Sequence, residues 1–287
     1  MKVSELLKQK MTFSFEVFPP KDDVSTEPLF ETLEELYKYE PDFISVTYGA
    51  GGTNIGRSEE VCKKILESKT NLMTHFTCIG NTKEDVKRNI QKYVDLGTKN
   101  VLALRGDLPP GWEGTRGDFA HGDRLIKEIK KDFEDLCIGA ACYPEKHITA
   151  DSMEADIAHL RSKQDNGAEF LMCQLCYDIE AYERFVEKVR KAGVKIPIIV
   201  GVMPVLYKNG LIRMTTLNGC SIPAQVSSII GKYGEDSEDF KKAGKEYTKE
   251  LIYKYMNLGI DGLHLYSLNK YKDLAEIIKE SGIRGTF

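Results

Sequence analysis

Several short segments of this sequence carry groups that could move protons or hold a polar ligand. In Ser14-Phe15-Glu16-Val17-Phe18, an extended chain sends Phe13, Phe15 and Val17 to one face and Ser14, Glu16 and Phe18 to the other. The apolar face suits packing under helices. Glu16, with apolar neighbours and Pro19-Pro20 behind it, is then either a general acid in a desolvated setting or one half of a structural salt bridge. Position alone leaves both open. Leu104-Arg105-Gly106-Asp107-Leu108-Pro109-Pro110 sets a cation and an anion before a stiff turn, which could cradle a polar ring or simply be a turn. Tyr143-Pro144-Glu145-Lys146-His147 offers a phenol, a carboxylate and an imidazole. Asp156, His159 and Lys163 follow at helical spacing, as one face for a ribose and diphosphate or as a solvated polar surface. Cys173 and Cys176 form a single CxxC with no second pair or histidine cluster nearby, so buried thiols are expected there and no metal.

The elements that position these groups alternate. Strand patterns run over 12–18, 43–47, 73–79, 100–104, 136–143, 170–175, 197–203 and 262–267. Helical patterns occupy 28–39, 57–68, 83–96, 122–133, 152–166, 179–192, a long region 211–258, and 271–281. Gly97, Gly167, Gly193 and Gly259 each follow a helical run, where a left-handed residue ends a helix cheaply. Strands joined by single helices run parallel, with right-handed crossovers. The expected fold is therefore α/β, a single (β/α)₈ TIM barrel over 1–287 with extra helices before the last strand. A doubly wound open sheet would carry GxGxxG after its first strand; the Gly49-Ala50-Gly51-Gly52 run follows the second and has the wrong spacing. In such barrels chemistry sits at the C-terminal strand ends. Glu16, Thr47, His75, Arg105, Asp107, Tyr143, Glu145, His147, Gln174 and Tyr266 all fall at or just past one.

Composition sets limits. The 287 residues are 41% hydrophobic and 29% charged, enough apolar material for a large core. A net charge of −4 argues against a nucleic-acid or anionic-membrane binder. The N-terminus lacks a signal-peptide core and no run spans a bilayer, so a cytoplasmic protein is expected. Seven cysteines, mostly in apolar strand patterns, suit reduced core thiols.

Taken together, Ser-Phe-Glu-Val-Phe-Pro-Pro at 14–20, Val-Thr-Tyr-Gly-Ala at 46–50, His-Phe-Thr-Cys-Ile at 75–79, Ala-Leu-Arg-Gly-Asp-Leu-Pro-Pro at 103–110, Tyr-Pro-Glu at 143–145 and His-Leu-Tyr-Ser-Leu-Asn at 264–269 resemble the methylenetetrahydrofolate reductase family. The match runs in order along nearly the whole chain. It implies a barrel with non-covalent FAD that passes hydride from NADH or NADPH to 5,10-methylenetetrahydrofolate, giving 5-methyltetrahydrofolate for one-carbon metabolism and methionine biosynthesis. Glu16 is similar to the family's acid. Asp107 resembles its aspartate near flavin and pterin, and Gln174 its amide for the second substrate. Thr47, His75, Arg105, Gly106, Asp107, Ala120, Tyr143, His147, Asp156, His159 and Lys163 fall on flavin-contact positions; Tyr266 and Lys270 join Glu16, Asp107 and Gln174 on the folate side. A homo-oligomer is also expected.

The chain departs from the pattern in places. Val205 to Gly210 lacks a glutamine and a phenylalanine that some bacterial members turn towards folate or nicotinamide. Lys270 stands where others carry arginine, and His159 and Ser162 replace flavin-side residues. Two alternatives follow: a reductase subunit that draws electrons from a partner protein, or a flavin-free pterin methyltransferase barrel. Because the barrel consumes the chain, no C-terminal regulatory domain is expected.

Overall fold

Short β-branched and aromatic runs do form the strands: β1 (Thr12–Val17), β2 (Phe43–Val46), β3 (Asn71–Thr77), β4 (Asn100–Leu104), β5 (Cys137–Cys142), β6 (Phe170–Cys173), β7 (Ile198–Val202) and β8 (Gly262–Tyr266). In the computed structural model all pair in parallel with their sequence neighbours, and β8 pairs back onto β1, closing the barrel. The structure describes residues 1–287 except 22, 48–54, 110, 236 and 284–287, and residues 55 and 56 by their backbone alone.

Between the strands lie α2 (Glu27–Tyr37), α3 (Ile55–Glu67), α4 (Lys83–Asp95), α5 (Gly122–Asp132), α6 (Met153–Asp165) and α7 (Ile179–Lys191), with α11 (Tyr271–Ser281) after β8. Their starts are legible in local chemistry. Thr82 and Asp85 form a capping box on α4, while Ser152 and Asp178 accept from the backbones of Ala155 and Ala181 at the starts of α6 and α7. Their ends follow the expected stop: Gly97, Gly167 and Gly193 all have positive φ, as has Gly259 before β8. Residues spaced three and four apart, such as Tyr182, Phe185 and Val189 of α7, turn one stripe onto the sheet.

The long region before β8 resolves into α8 (Lys208–Asn218), α9 (Ala224–Lys232) and α10 (Glu238–Asn257). Gly219, at φ 65°, ends α8, and Pro223 caps α9. A short helix that the sequence pattern did not suggest, α1 (Val3–Leu7), precedes β1. Its five residues are too few to show a period.

Two cores result. Outward residues of the strands, Phe13, Phe15 and Val17 among them, pack under the helices. Each fully buried side chain of this size is worth about 1.5–3 kcal/mol. Inward residues Phe43, Met73, Leu102, Cys137, Phe170, Met172 and Ile199 fill the N-terminal half of the barrel together with Val3 of α1. The plug is mainly apolar, and the ionisable inward residues Glu16 and His75 lie above it. Among the described residues, no helix is long and apolar enough to cross a membrane.

Candidate active site

Glu16 is next to last in β1 and faces inward, as its alternation with Phe15 and Val17 requires. Its immediate surroundings differ from the apolar setting expected. Glu16 Oε2 lies 3.6 Å from His75 Nε2 and 3.9 Å from His264 Nε2. The reason is register: Glu16 pairs with Ser45 on β2 and Tyr266 on β8, so its neighbours are the inward residues of other strands, which alternation within β1 cannot reveal. His264 is buried, shares hydrogen bonds with Ser14 Oγ (2.8 Å) and Ser45 Oγ (3.3 Å), and stacks on Phe43 of the plug. It was not singled out from sequence. Its parity with Tyr266, two residues on, was the available signal.

His75 is also buried, and its Nε2 has no hydrogen-bond partner, as is true of Thr77 Oγ1 two residues further along β3. Burial pushes the His75 imidazole down to about 4, only partly countered by Glu16, so it is neutral at physiological pH. An unfolded histidine titrates near 6.5. The unfolded chain therefore holds the extra proton between these values, and the stability from a neutral, buried His75 is complete above about pH 6.5 and drains as pH falls towards 4. We expect about 2 kcal/mol lost by pH 5. Urea unfolding of wild type and His75→Phe at pH 7 and pH 5 checks this: the variant should show a shallower decline, and parallel declines would contradict it.

The segment after β4 continues the pairing with β3: Cys78 N donates to Leu104 O and Ile79 N to Arg105 O, each at 3.0 Å. Gly106 lies at φ +89°, and a Cβ there would sit 2.8 Å from Ile79 Cγ2. The Arg-Gly-Asp segment is thus a turn pressed onto β3, with Arg105 half-buried and Asp107 exposed. Both charges act on Tyr143, whose phenol is pushed up mainly by burial. Tyr143 meets the His147 ring edge-on, with centroids 4.5 Å apart. His147 is held below its ordinary value by burial and then by Arg105.

Helix α6 supplies the support. Asp156 is buried and accepts from His147 N at 2.8 Å, and Lys163 donates to Ala141 O at 2.8 Å with its amine lowered by burial. Asp156, His159 and Lys163 lie within about 60° of one another around α6, on one face but at different depths. Seven residues bring 156 and 163 within about 20° on the helix, and 159 stands about 60° from 156. His159 is exposed, its ring 5.3 Å from that of His121 at the start of α5. Ser162 donates to Asp123 at 2.8 Å, and Ala120 is exposed just ahead of α5.

On the other side of the mouth, Tyr266 donates to Cys173 O at 3.2 Å and passes over Gly201, whose hypothetical Cβ would lie 2.6 Å from the phenol oxygen. Burial raises this phenol well above its ordinary range, and Glu16 adds to that. Gln174 is half-buried beyond β6, and Thr47 is half-buried beyond β2, its N–H donating to Val17 O at 3.1 Å. Lys270 is exposed with its ammonium 5.2 Å over the Tyr207 ring. Tyr48 to Ala50 and Pro110, quoted above within two motifs, lie outside the described residues. All seven cysteines are free thiols. Cys173 meets Cys142 across the β5–β6 register, sulfurs 3.2 Å apart, while Cys176 turns to the Asp178 carbonyl. Among the described residues no cluster of His, Cys, Asp or Glu could hold a metal.

Fold and site define a (β/α)₈ barrel of enzymatic type, its ionisable residues gathered at the C-terminal strand ends around one inward carboxylate. The chain belongs to the methylenetetrahydrofolate reductase family, whose model matches residues 2–282. "Methylenetetrahydrofolate reductase 1" of Schizosaccharomyces pombe is 32% identical over 293 residues, covering 99% of this chain and 49% of that protein. "Methylenetetrahydrofolate reductase (NADH) 1" of Arabidopsis thaliana is 33% identical over 297 residues, 98% of this chain and 50% of its own. The chain thus spans about half the length of these relatives. It covers 92% of the Escherichia coli "5,10-methylenetetrahydrofolate reductase", at 30% identity over 277 residues and 96% of this chain. A solved Clostridium thermocellum structure, described as an uncharacterized protein that binds two copies of 5-methyl-5,6,7,8-tetrahydrofolic acid, has the same fold, with a TM-score of 0.66, 16% identity and 99% of both chains covered.

Proposed function

We propose that this chain reduces 5,10-methylenetetrahydrofolate to 5-methyltetrahydrofolate, with Glu16 as the general acid. The observation that carries the proposal is a single carboxylate at the centre of the barrel mouth, bracketed by two imidazoles and keeping about a fifth of its side chain open. Hydride adds poorly to the closed imidazolidine ring of the substrate. Proton donation by Glu16 to N10 lets the N10–methylene bond break with its electron pair moving to N10, which leaves an iminium at N5 to accept hydride. Asp107, on the turn after β4, supplies a negative charge suited to that cation. Gln174, Tyr266 and Lys270 lie on the substrate side.

The residues present fit FAD. Buried His75 Nε2 and Thr77 Oγ1 lack partners, and the half-buried Lys163 carries an ammonium suited to a diphosphate. Thr47, His75, Arg105, Gly106, Asp107, Ala120, Tyr143, His147, Asp156 and Lys163 would hold it, with His159 at the outer edge. FAD, when bound, supplies hydride transfer from a nicotinamide to the folate. Seven free thiols are compatible with a reducing compartment such as the cytoplasm, which this reading assigns.

The test is anaerobic. Protein reconstituted with FAD should lose its visible flavin band on addition of NADH or NADPH and regain it on addition of 5,10-methylenetetrahydrofolate. Flavin that stays oxidised with both nicotinamides yet supports turnover with an artificial donor would point to an electron-delivering partner, the reading that the altered 205–210 segment favours. Protein that takes up no FAD would sink the proposal and favour a flavin-free methyltransferase barrel.

A further inference from the structure

We infer that Asn218, at the C-terminal end of α8, is a positioning residue for Gln174: it fixes which end of the Gln174 amide points which way at the barrel mouth, and so sets the orientation of a substrate with a lactam or carboxamide edge. The inference rests on the proposed function, in which Gln174 meets the substrates.

The geometry is a chain of hydrogen bonds with backbone at both ends. Leu175 N–H donates to Gln174 Oε1 at 2.8 Å, Gln174 Nε2 donates to Asn218 Oδ1 at 2.9 Å, and Asn218 Nδ2 donates to Met214 O at 2.9 Å. A backbone N–H only donates and a carbonyl only accepts. Turning Gln174 over would set donor against donor at Leu175, and turning Asn218 over would set oxygen against oxygen at Met214. Each amide therefore has one allowed polarity. Gln174 keeps one unused N–H and one unused lone pair, and its parity with inward Phe170 and Met172 carries that edge towards the mouth.

Asn218 is itself held in place. Helix α8 stops at left-handed Gly219, after which Cys220 Sγ donates to Leu175 O at 3.1 Å, and the N–H and hydroxyl of Ser221 both donate to the Glu145 carboxylate. The turn after α8 is thus fastened to the segments following β5 and β6, which carry Tyr143 and Gln174. A loosely held primary amide presents either edge at similar cost. A fixed one offers its acceptor and donor in a set order, which a ligand amide edge matches with two hydrogen bonds in one orientation only.

A double-mutant cycle in the FAD-loaded enzyme tests this. Asn218→Leu keeps side-chain size and removes both polar ends. We expect KM for 5,10-methylenetetrahydrofolate, and the calorimetric dissociation constant for 5-methyltetrahydrofolate, to rise about five- to tenfold, the worth of one ordered neutral hydrogen bond, with kcat changing less. Gln174→Ala should raise the same constants at least as far, and adding Asn218→Leu to it should raise them no further. Effects that multiply in the double variant would show that Asn218 acts through the packing of α8 and would overturn the inference alone. Unchanged constants in Gln174→Ala would overturn it together with the placement of Gln174 at the substrate. Wild-type protein that binds no 5-methyltetrahydrofolate removes the proposed function and this inference with it. Should Asn218→Leu not fold, Asn218→Ala completes the same cycle.

Discussion

Glu16→Gln is expected to lower the rate of flavin reoxidation by 5,10-methylenetetrahydrofolate about 10²- to 10⁴-fold, the usual worth of a positioned acid, while flavin reduction by the donor changes little. Glutamine keeps the size of the side chain and removes the transferable proton. A structural role would predict a different result, and the structure bears on that role. Among the described residues, the ion-pair partners of Glu16 are only His75 and His264, both beyond 3.5 Å, and His75 is neutral because burial pushes it down to about 4. No arginine or lysine is paired with Glu16 there, so neutralising it leaves no cation stranded. Stopped-flow traces of the two half-reactions decide the matter: an equal fall in both would make Glu16 a structural residue.

The fold was legible because each of its signals is local. Alternation in Thr12–Val17 sorts Phe13 and Phe15 from Glu16, helical stripes need only neighbours three and four apart, and glycines with positive φ sit where the sequence stops its helices. Helix α1 was missed because five residues hold no period. The site was legible to the same depth and no further. That Glu16 points inward is a property of its own strand; that it faces His75 and His264 depends on which residues β3 and β8 bring to its level. Cys173 likewise finds Cys142 by register, although Cys176 is nearer in sequence. His159 sits at the exposed edge of the face it shares with Asp156 and Lys163, a difference of depth that spacing by three and four does not resolve. Nor could any local pattern show that Asn218, far along the chain on α8, completes the hydrogen bonding of Gln174.

Gly106 gives the second large effect, and a comparison with Gly97 separates its causes. Both glycines have positive φ, +89° and +96°, which costs a residue bearing Cβ about 1–2 kcal/mol. Gly97, past the end of α4, has nothing within 4 Å of a hypothetical Cβ, so Gly97→Ala should lose only that strain. At Gly106 the added atom would meet Ile79 Cγ2 at 2.8 Å and Thr77 Cβ at 3.0 Å. Thr77 is a strand residue, and the backbone hydrogen bonds at Cys78 and Ile79 pin the segment that follows, so β3 has little freedom to withdraw. Overpacking of this kind adds about 1–3 kcal/mol. Gly106→Ala should therefore unfold about 2–5 kcal/mol more easily than wild type and melt at a temperature lower by about 4–10 °C. If the turn relieves the clash by moving away from β3, Arg105 and Asp107 move with it, and affinity for FAD falls in Gly106→Ala but not in Gly97→Ala. Thermal melts and FAD titrations of the two variants side by side supply the check. Equal losses of stability in both, with FAD affinity unchanged, would mean that the turn after β4 bends freely and is not what holds these two charges at the mouth.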